Sequence, residues 1–250
     1  MHREPRAILA PNASAMTMDG TITYLVGEKL VAIIDPGSAA DTHIDAIAAA
    51  AGDADAVTIL ITHDHPDHAA GAAELAARLG APVLDAAAGS LRDGQVIPTD
   101  HGDLVAVATP GHAPDHISLH WPAESAIFCG DLMMGGLDTA AVAAPEGDVG
   151  AYLASLERLR DLAPEIIYPA HGPAFTDPAA ALDRYVAHRV RRQEEVLQAI
   201  AAGAKSAAEI AHRVYGPGLD PGLRAFAVAA VEAYLSHLRR SGRLDEGTTL

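Results

Sequence analysis

Thr62-His63-Asp64-His65-Pro66-Asp67-His68 follows directly on the apolar, β-branched run Val57 to Ile61. Four metal-ligating side chains, His63, His65, Asp67 and His68, are packed into this short stretch. A brief apolar run stopped by such a motif reads as a core strand, and ligands at the carboxyl end of a strand are held rigidly while still facing a crevice. His63 and His65, two residues apart, can point to one ion. Asp67 and His68, after the proline turn, can point to a second. Downstream, His112, Asp131 and His171 each stand beside a glycine. His112 can complete the first ion and His171 the second. Asp131 is the natural bridge, because a carboxylate has an oxygen for each metal. Mixed imidazole and carboxylate donors suit zinc, and also iron or manganese. A closed structural zinc site would be rich in cysteine, and Cys129 is the one cysteine of the chain.

The chemistry follows from two adjacent divalent ions, with Zn2+ as the expected pair. Ions about 3.5–4 Å apart hold a hydroxide between them, lower its pKa and polarise the bond under attack. Asp67 is expected to act catalytically by orienting the attacking water as well as ligating. His116 is the candidate donor of a proton to the leaving group. The remaining histidines, including His43, His101, His188, His212 and His237, read as surface or structural residues.

Composition sets the frame. The chain has 250 residues, half of them apolar but only 4% aromatic, which predicts a core built from aliphatic side chains. A formal net charge of -16 opposes bulk capture of polyanions and makes a transcription-factor reading poor. A single cysteine permits no internal disulfide and suits a reducing compartment. No signal peptide and no apolar run long enough to span a membrane are evident, so a cytoplasmic protein without membrane attachment is expected.

Outward from the histidine motif, Thr21 to Val26 and Leu30 to Ile34 read as paired strands, the second ended by Asp35-Pro36-Gly37. Ala39 to Ala51 and Ala69 to Leu79 read as helices. Val83-Leu84 and Asp103 to Thr109 read as strands, and Ile117 to His120 with Ala126 to Cys129 as a hairpin. Asp148 to Arg160 is a helix and Glu165 to Tyr168 a last short strand. Beyond Asp177-Pro178 the signals are helical: Ala180 to Ala201, Ser206 to Val214 with a capping box at Ser206 and Glu209, and Leu223 to Arg240. The expected division is a catalytic domain at residues 1–178 and, at 179–250, a long helix with a winged-helix-like module of three helices and a small terminal hairpin.

In order, Asp35-Pro36-Gly37, the histidine motif, Gly111-His112, Gly130-Asp131 and His171-Gly172 resemble the metallo-beta-lactamase superfamily. The resemblance implies an α/β fold, the αβ/βα sandwich. It also implies His63, His65 and His112 on one metal and Asp67, His68 and His171 on the other, with Asp131 shared. Asp131 points away from antibiotic hydrolysis and toward the glyoxalase II and ribonuclease Z branches. Tyr168-Pro169-Ala170-His171-Gly172-Pro173 and the helix from Tyr185 to Gln193 resemble the group named for beta-lactamase-like protein 2. That group includes a single-strand-selective endoribonuclease and polyketide thioesterases, so it implies hydrolysis and separates substrates poorly. One departure is Ile22-Thr23-Tyr24, where the group carries Asn-Thr-Tyr.

The first expectation for substrate is a small-molecule ester or thioester. Met133, Met134 and Leu137, after the bridging aspartate, would line a pocket for an acyl group, with Tyr168 and Arg189 as further substrate contacts. The alternative is cleavage of single-stranded RNA, with phosphates docked on Arg189, Arg191 and Arg192 or on Arg239, Arg240 and Arg243. A third reading makes the C-terminal module a docking or homodimerisation unit beside an inactive metal domain. All seven expected ligands are present, which argues against inactivity.

Overall fold

The computed structural model describes residues 3–245. Two five-stranded sheets face one another. The first contains β1 (Arg6–Leu9), β2 (Ile22–Val26), β3 (Leu30–Ile34), β4 (Ala56–Ile61) and β5 (Val83–Asp85) in that order, with β1 to β3 antiparallel and β3 to β5 parallel. The second runs in the order β10 (Ile166–Tyr168), β9 (Ala126–Phe128), β8 (Ile117–Trp121), β7 (Leu104–Ala108) and β6 (Val96–Ile97), with β9 and β10 parallel.

Period-two alternation along the strands builds the layers. On β3, Ala32 and Ile34 enter the core between the sheets, where Tyr24, Leu60, Leu119, Trp121 and Phe128 meet them. The intervening Val31 and Ile33 face outward onto α1 (Asp41–Ala51) and α3 (Ala72–Leu79) through Ile44, Ile47 and Leu75. On the other sheet, Ile127 turns away from the shared core. It joins α4 (Val149–Asp161) and α5 (Pro178–Ala201) through Leu156, Leu159, Leu182 and Tyr185. Both sheets are thus covered on both faces, which suits their parallel pairs. The αβ/βα sandwich is observed as expected.

The C-terminal helices are α5, α6 (Ala207–Tyr215) and α7 (Arg224–Arg240). The Ser206 hydroxyl accepts the Glu209 N–H at 3.2 Å, while the Glu209 carboxylate accepts the N–H of Lys205, one residue earlier than a capping box requires. One apolar core runs without a break across residue 178, from Ile127 and Leu132 to Val231, Tyr234 and Leu238. The expected terminal hairpin falls at the end of the chain, where residues 246–250 lie outside those described. Two strands were not legible beforehand. β1 is a four-residue edge strand with mostly exposed side chains, and β6 is only two residues long.

Every strand that carries a candidate ligand ends at the same rim. β4 delivers the histidine motif, and α2 (Pro66–Ala69) follows at once, with Asp67 and His68 in its single turn. β9 leads to Asp131 and β10 to His171. Main-chain bonds stitch the two sheets here: Ile117 N–H to Thr62 O and Ile22 N–H to Ala170 O, at 2.9 and 2.8 Å. Gly37 allows the closest approach at this rim, because a Cβ there would sit 1.7 Å from the Asp67 carbonyl oxygen.

Candidate metal centre

The rim gathers two donor sets. His63, His65 and His112 form one, and Asp67, His68, Asp131 and His171 the other; within each set the ligand atoms all lie within 4.8 Å of one another. Asp131 stands between them. Its Oδ1 is 3.3 Å from His68 Nε2 and 3.2 Å from His171 Nε2, while Oδ2 is 3.7 Å from His112 Nε2. Burial pushes the Asp131 carboxyl up, but the surrounding imidazoles of His68, His171 and His112 outweigh it and hold it well below the usual carboxylate range. Asp67 Oδ2 lies 3.4 Å from His171 Nε2 and 3.7 Å from His68 Nε2.

Each imidazole is aimed by a bond on its far nitrogen. His112 Nδ1 donates to Ala141 O at 2.8 Å and His171 Nδ1 to Gly20 O at 3.2 Å. His68 Nδ1 donates to Asp35 Oδ2 at 2.9 Å, and His65 Nε2 to Glu146 Oε2 at 3.0 Å. The Thr62 hydroxyl donates to Asp35 Oδ2 at 2.8 Å, so it accepts from His63 Nδ1 at 3.0 Å. These acceptors hold the far nitrogens of all five rings so that the other ring nitrogens converge. His63 Nε2 and His112 Nε2 consequently crowd His65 Nδ1 at 2.9 and 3.1 Å. Three bare lone pairs have no proton to share in that arrangement. Burial also drives the His63 and His112 pKa values down, which keeps both neutral and ligand-ready.

The donor sets fit a pair of divalent cations. His68 Nε2, His171 Nε2 and Asp131 Oδ1 are buried and find no hydrogen-bond partner among the described residues. Leaving such groups unsatisfied costs about 1–3 kcal/mol each, and a cation at their meeting point removes that cost. Asp35 is central to the support. Its carboxylate also accepts Thr62 N–H at 2.8 Å, and its backbone holds φ at 51°, a conformation tolerated by aspartate better than by most residues. The sequence marks Asp35 as a turn residue; its role as the anchor of His68 and Thr62 emerges only from the fold. Glu146 and the two backbone carbonyls on His112 and His171 carried no sequence signal at all.

Three expected roles are corrected. His116 is fully enclosed; its Nδ1 donates to Thr109 Oγ1 at 2.9 Å and its Nε2 accepts the Asp131 N–H at 3.1 Å. Burial lowers its pKa to about 3. A neutral ring with both nitrogens engaged has no proton for a leaving group, and His116 instead positions the Asp131 backbone. Met133 is wholly buried in the core under α4 and α5 rather than lining a pocket. Tyr168 stacks on Phe128, 5.2 Å between centroids at 22°, inside the core between the sheets.

A cleft of about 450 Å³ opens over the donors, lined by His65, Asp67, His112 and Asp131 together with Met16, Met134 and Phe226. Leu137 and Arg189 border an adjoining cavity. The Arg189 side chain is itself buried, donating to Tyr234 Oη at 3.1 Å and Ala140 O at 2.6 Å, with its guanidinium 4.6 Å from the centre of the Tyr152 ring. No helix among the described residues is long and apolar enough to cross a membrane.

Comparison with known proteins agrees with this geometry. The family model described as Metallo-beta-lactamase superfamily matches residues 17–88 and 85–171. The chain is 37% identical over 207 residues to the atrochrysone carboxyl ACP thioesterase of Aspergillus chevalieri, covering 77% of this chain and 64% of that protein. It is 32% identical over 210 residues to the beta-lactamase-like protein 2 homolog of Caenorhabditis elegans, covering 77% and 70%. A beta-lactamase domain protein from Burkholderia ambifaria has the same fold, with a TM-score of 0.79 at 23% identity over 98% of this chain and 89% of that one. The match leaves more than a third of the fungal thioesterase's length uncovered.

Proposed function

Because the chain belongs to the metallo-beta-lactamase superfamily, we propose that it is a dinuclear metal-dependent hydrolase of a small ester or thioester. The observation that carries this reading is the pair of donor sets joined by Asp131 at the floor of a partly apolar cleft. His63, His65 and His112 would hold one ion, and Asp67, His68 and His171 the other, with Asp131 shared. When bound, two divalent ions, with zinc favoured by the nitrogen and oxygen donors, make water nucleophilic near neutral pH and polarise the carbonyl. Asp67 faces the cleft from the α2 turn and orients the attacking water. The water oxygen bonds to the acyl carbon, the carbon–sulfur bond breaks, and the proton lost by water leaves with the thiol. The name of the fungal relative, a thioesterase on a carrier-bound acyl group, supports the substrate class.

The ribonuclease alternative draws on the arginines of α5, of α7 and of the turn after it, and the partners of several of them weaken it. Arg192 is paired with Glu195 at 2.7 Å, Arg240 with Asp148 at 2.8 Å, and Arg243 with Glu194 at 2.5 Å. Arg189 is buried. Phosphates would have to break these pairs against a net charge of -16. We place the metal-binding catalytic domain at 1–178, in a cytoplasmic setting, and a winged-helix-like module at 179–250, whose α7 borders the cleft through Phe226 and Ala229 and offers a candidate surface for a second copy. Protein of measured metal content, offered a panel of acyl-thioesters and a labelled single-stranded RNA, is expected to hydrolyse thioesters and leave the RNA intact. Internal cuts in the RNA without thioester turnover would reverse the assignment.

A further inference from the structure

Eight large apolar side chains are exposed among the described residues, and four of them, Met16, Leu137, Leu223 and Phe226, line one cavity of about 280 Å³. Single exposed apolar residues are ordinary, whereas a convergent group marks a binding surface. The four come from separate parts of the chain: the loop after β1, the loop after Asp131, and the start of α7. The cavity is continuous with the metal cleft, because Met16, Met134, Ala141 and Phe226 line both.

Its cationic neighbours are already committed. The Arg189 guanidinium is bound to Tyr234 and Ala140 and lies over Tyr152. Arg192 is bound to Glu195 and to Val214 O, and lies 4.5 Å from the centre of the Tyr215 ring. One donor, the buried Arg189 Nε, finds no partner among the described residues. With the other guanidinium bonds taken and the rest of the lining mostly apolar, the surroundings suit an uncharged, mainly apolar occupant.

We infer that this cavity is the acyl subsite: it takes the apolar body of an acyl group whose carbonyl lies over Asp67 and Asp131. The inference rests on the hydrolase reading for the position of the carbonyl. It gives α7 a direct part in substrate choice, with Leu223 and Phe226 as specificity-determining residues. Chain length in the acyl group should then be read as affinity, up to the point where the cavity is full.

The test is calorimetric binding of S-alkyl thioethers of a single thiol, with increasing chain length, to the metal-loaded protein, alongside turnover of the matching thioesters. Thioethers cannot be hydrolysed, so binding is measured whether or not the protein is active. Binding is expected to tighten about fourfold per added methylene, the equivalent of roughly 0.8 kcal/mol for each buried CH₂. Phe226→Asp and Leu223→Asp, both at exposed positions, should flatten that slope. A flat series with the unaltered protein overturns the subsite, as does an unchanged slope in both variants. A dimer dispersed by Phe226→Asp, together with a flat series, would mean that a second copy covers the patch, and also overturns it. A steep series without turnover of any thioester or of the matching esters would instead overturn the hydrolase reading and leave the cavity standing as a site for an apolar chain.

Discussion

Asp131→Ala is expected to lower thioester turnover on the order of a thousandfold, and to reduce bound metal from two equivalents toward one. The size follows from the position of the carboxylate. Oδ1 faces His68 and His171, Oδ2 faces His112, and among the described residues no other carboxylate spans the two donor sets. On the proposed scheme, removing it would take a ligand from the Asp67, His68 and His171 set and the carboxylate shared with the His63, His65 and His112 set. Losing one preorganised charge-stabilising group in a dry site costs about 10²–10³ in rate, and here lost metal adds to that. Elemental analysis and kcat on the same preparation check both halves. Asp131→Asn, which keeps the volume, separates loss of charge from loss of packing. Two metals and full turnover in Asp131→Ala would remove the bridge from the scheme.

Arg189→Ala is expected to destabilise the fold by about 3–4 kcal/mol, although arginine substitutions at a surface usually cost little. The side chain is 4% exposed and ties α5 to Tyr234 of α7, to the carbonyl of Ala140, and to the ring of Tyr152 in α4. Tyr152 Oη in turn donates to Leu132 O at 2.5 Å, next to Asp131. Truncation leaves a cavity and strips donors from two buried acceptors. Urea denaturation should show a lower midpoint with little change in slope. A midpoint equivalent to less than about 0.5 kcal/mol of change would return Arg189 to the role expected from the sequence, a substrate contact on an otherwise indifferent helix.

The contrast between these two residues shows what was legible in the sequence. Asp131 could be read because ligands come in clusters and the histidine motif, four of them in one loop, announces a site that other donors must complete. The β-branched run ahead of it gave the strand, and the order of the ligand motifs, through the family they resemble, gave the layered sandwich. Arg189 could not be settled, because one arginine among several on a helix looks the same whether it meets solvent, a substrate, or two tyrosines and a carbonyl. Met133 and Met134 make the point more narrowly. They are adjacent in an irregular loop, where no period assigns faces, and one enters the core while the other lines the cleft. His116 misled because histidine beside a metal motif suggests proton transfer. Its neighbours Thr109 and the Asp131 amide, which decide the matter, lie on other segments. The acyl cavity joins Met16 to Phe226, a pairing that only the closed fold creates.

The most direct measurement is acyl-thioester hydrolysis followed while Zn2+ is returned stepwise to protein stripped by a chelator. Activity is expected to be absent without metal, to rise as metal binds, and to level off at two equivalents. Hydrolysis that survives complete removal of metal would contradict a dinuclear metal-dependent hydrolase, and a fully loaded protein that hydrolyses neither esters nor thioesters would contradict the substrate class.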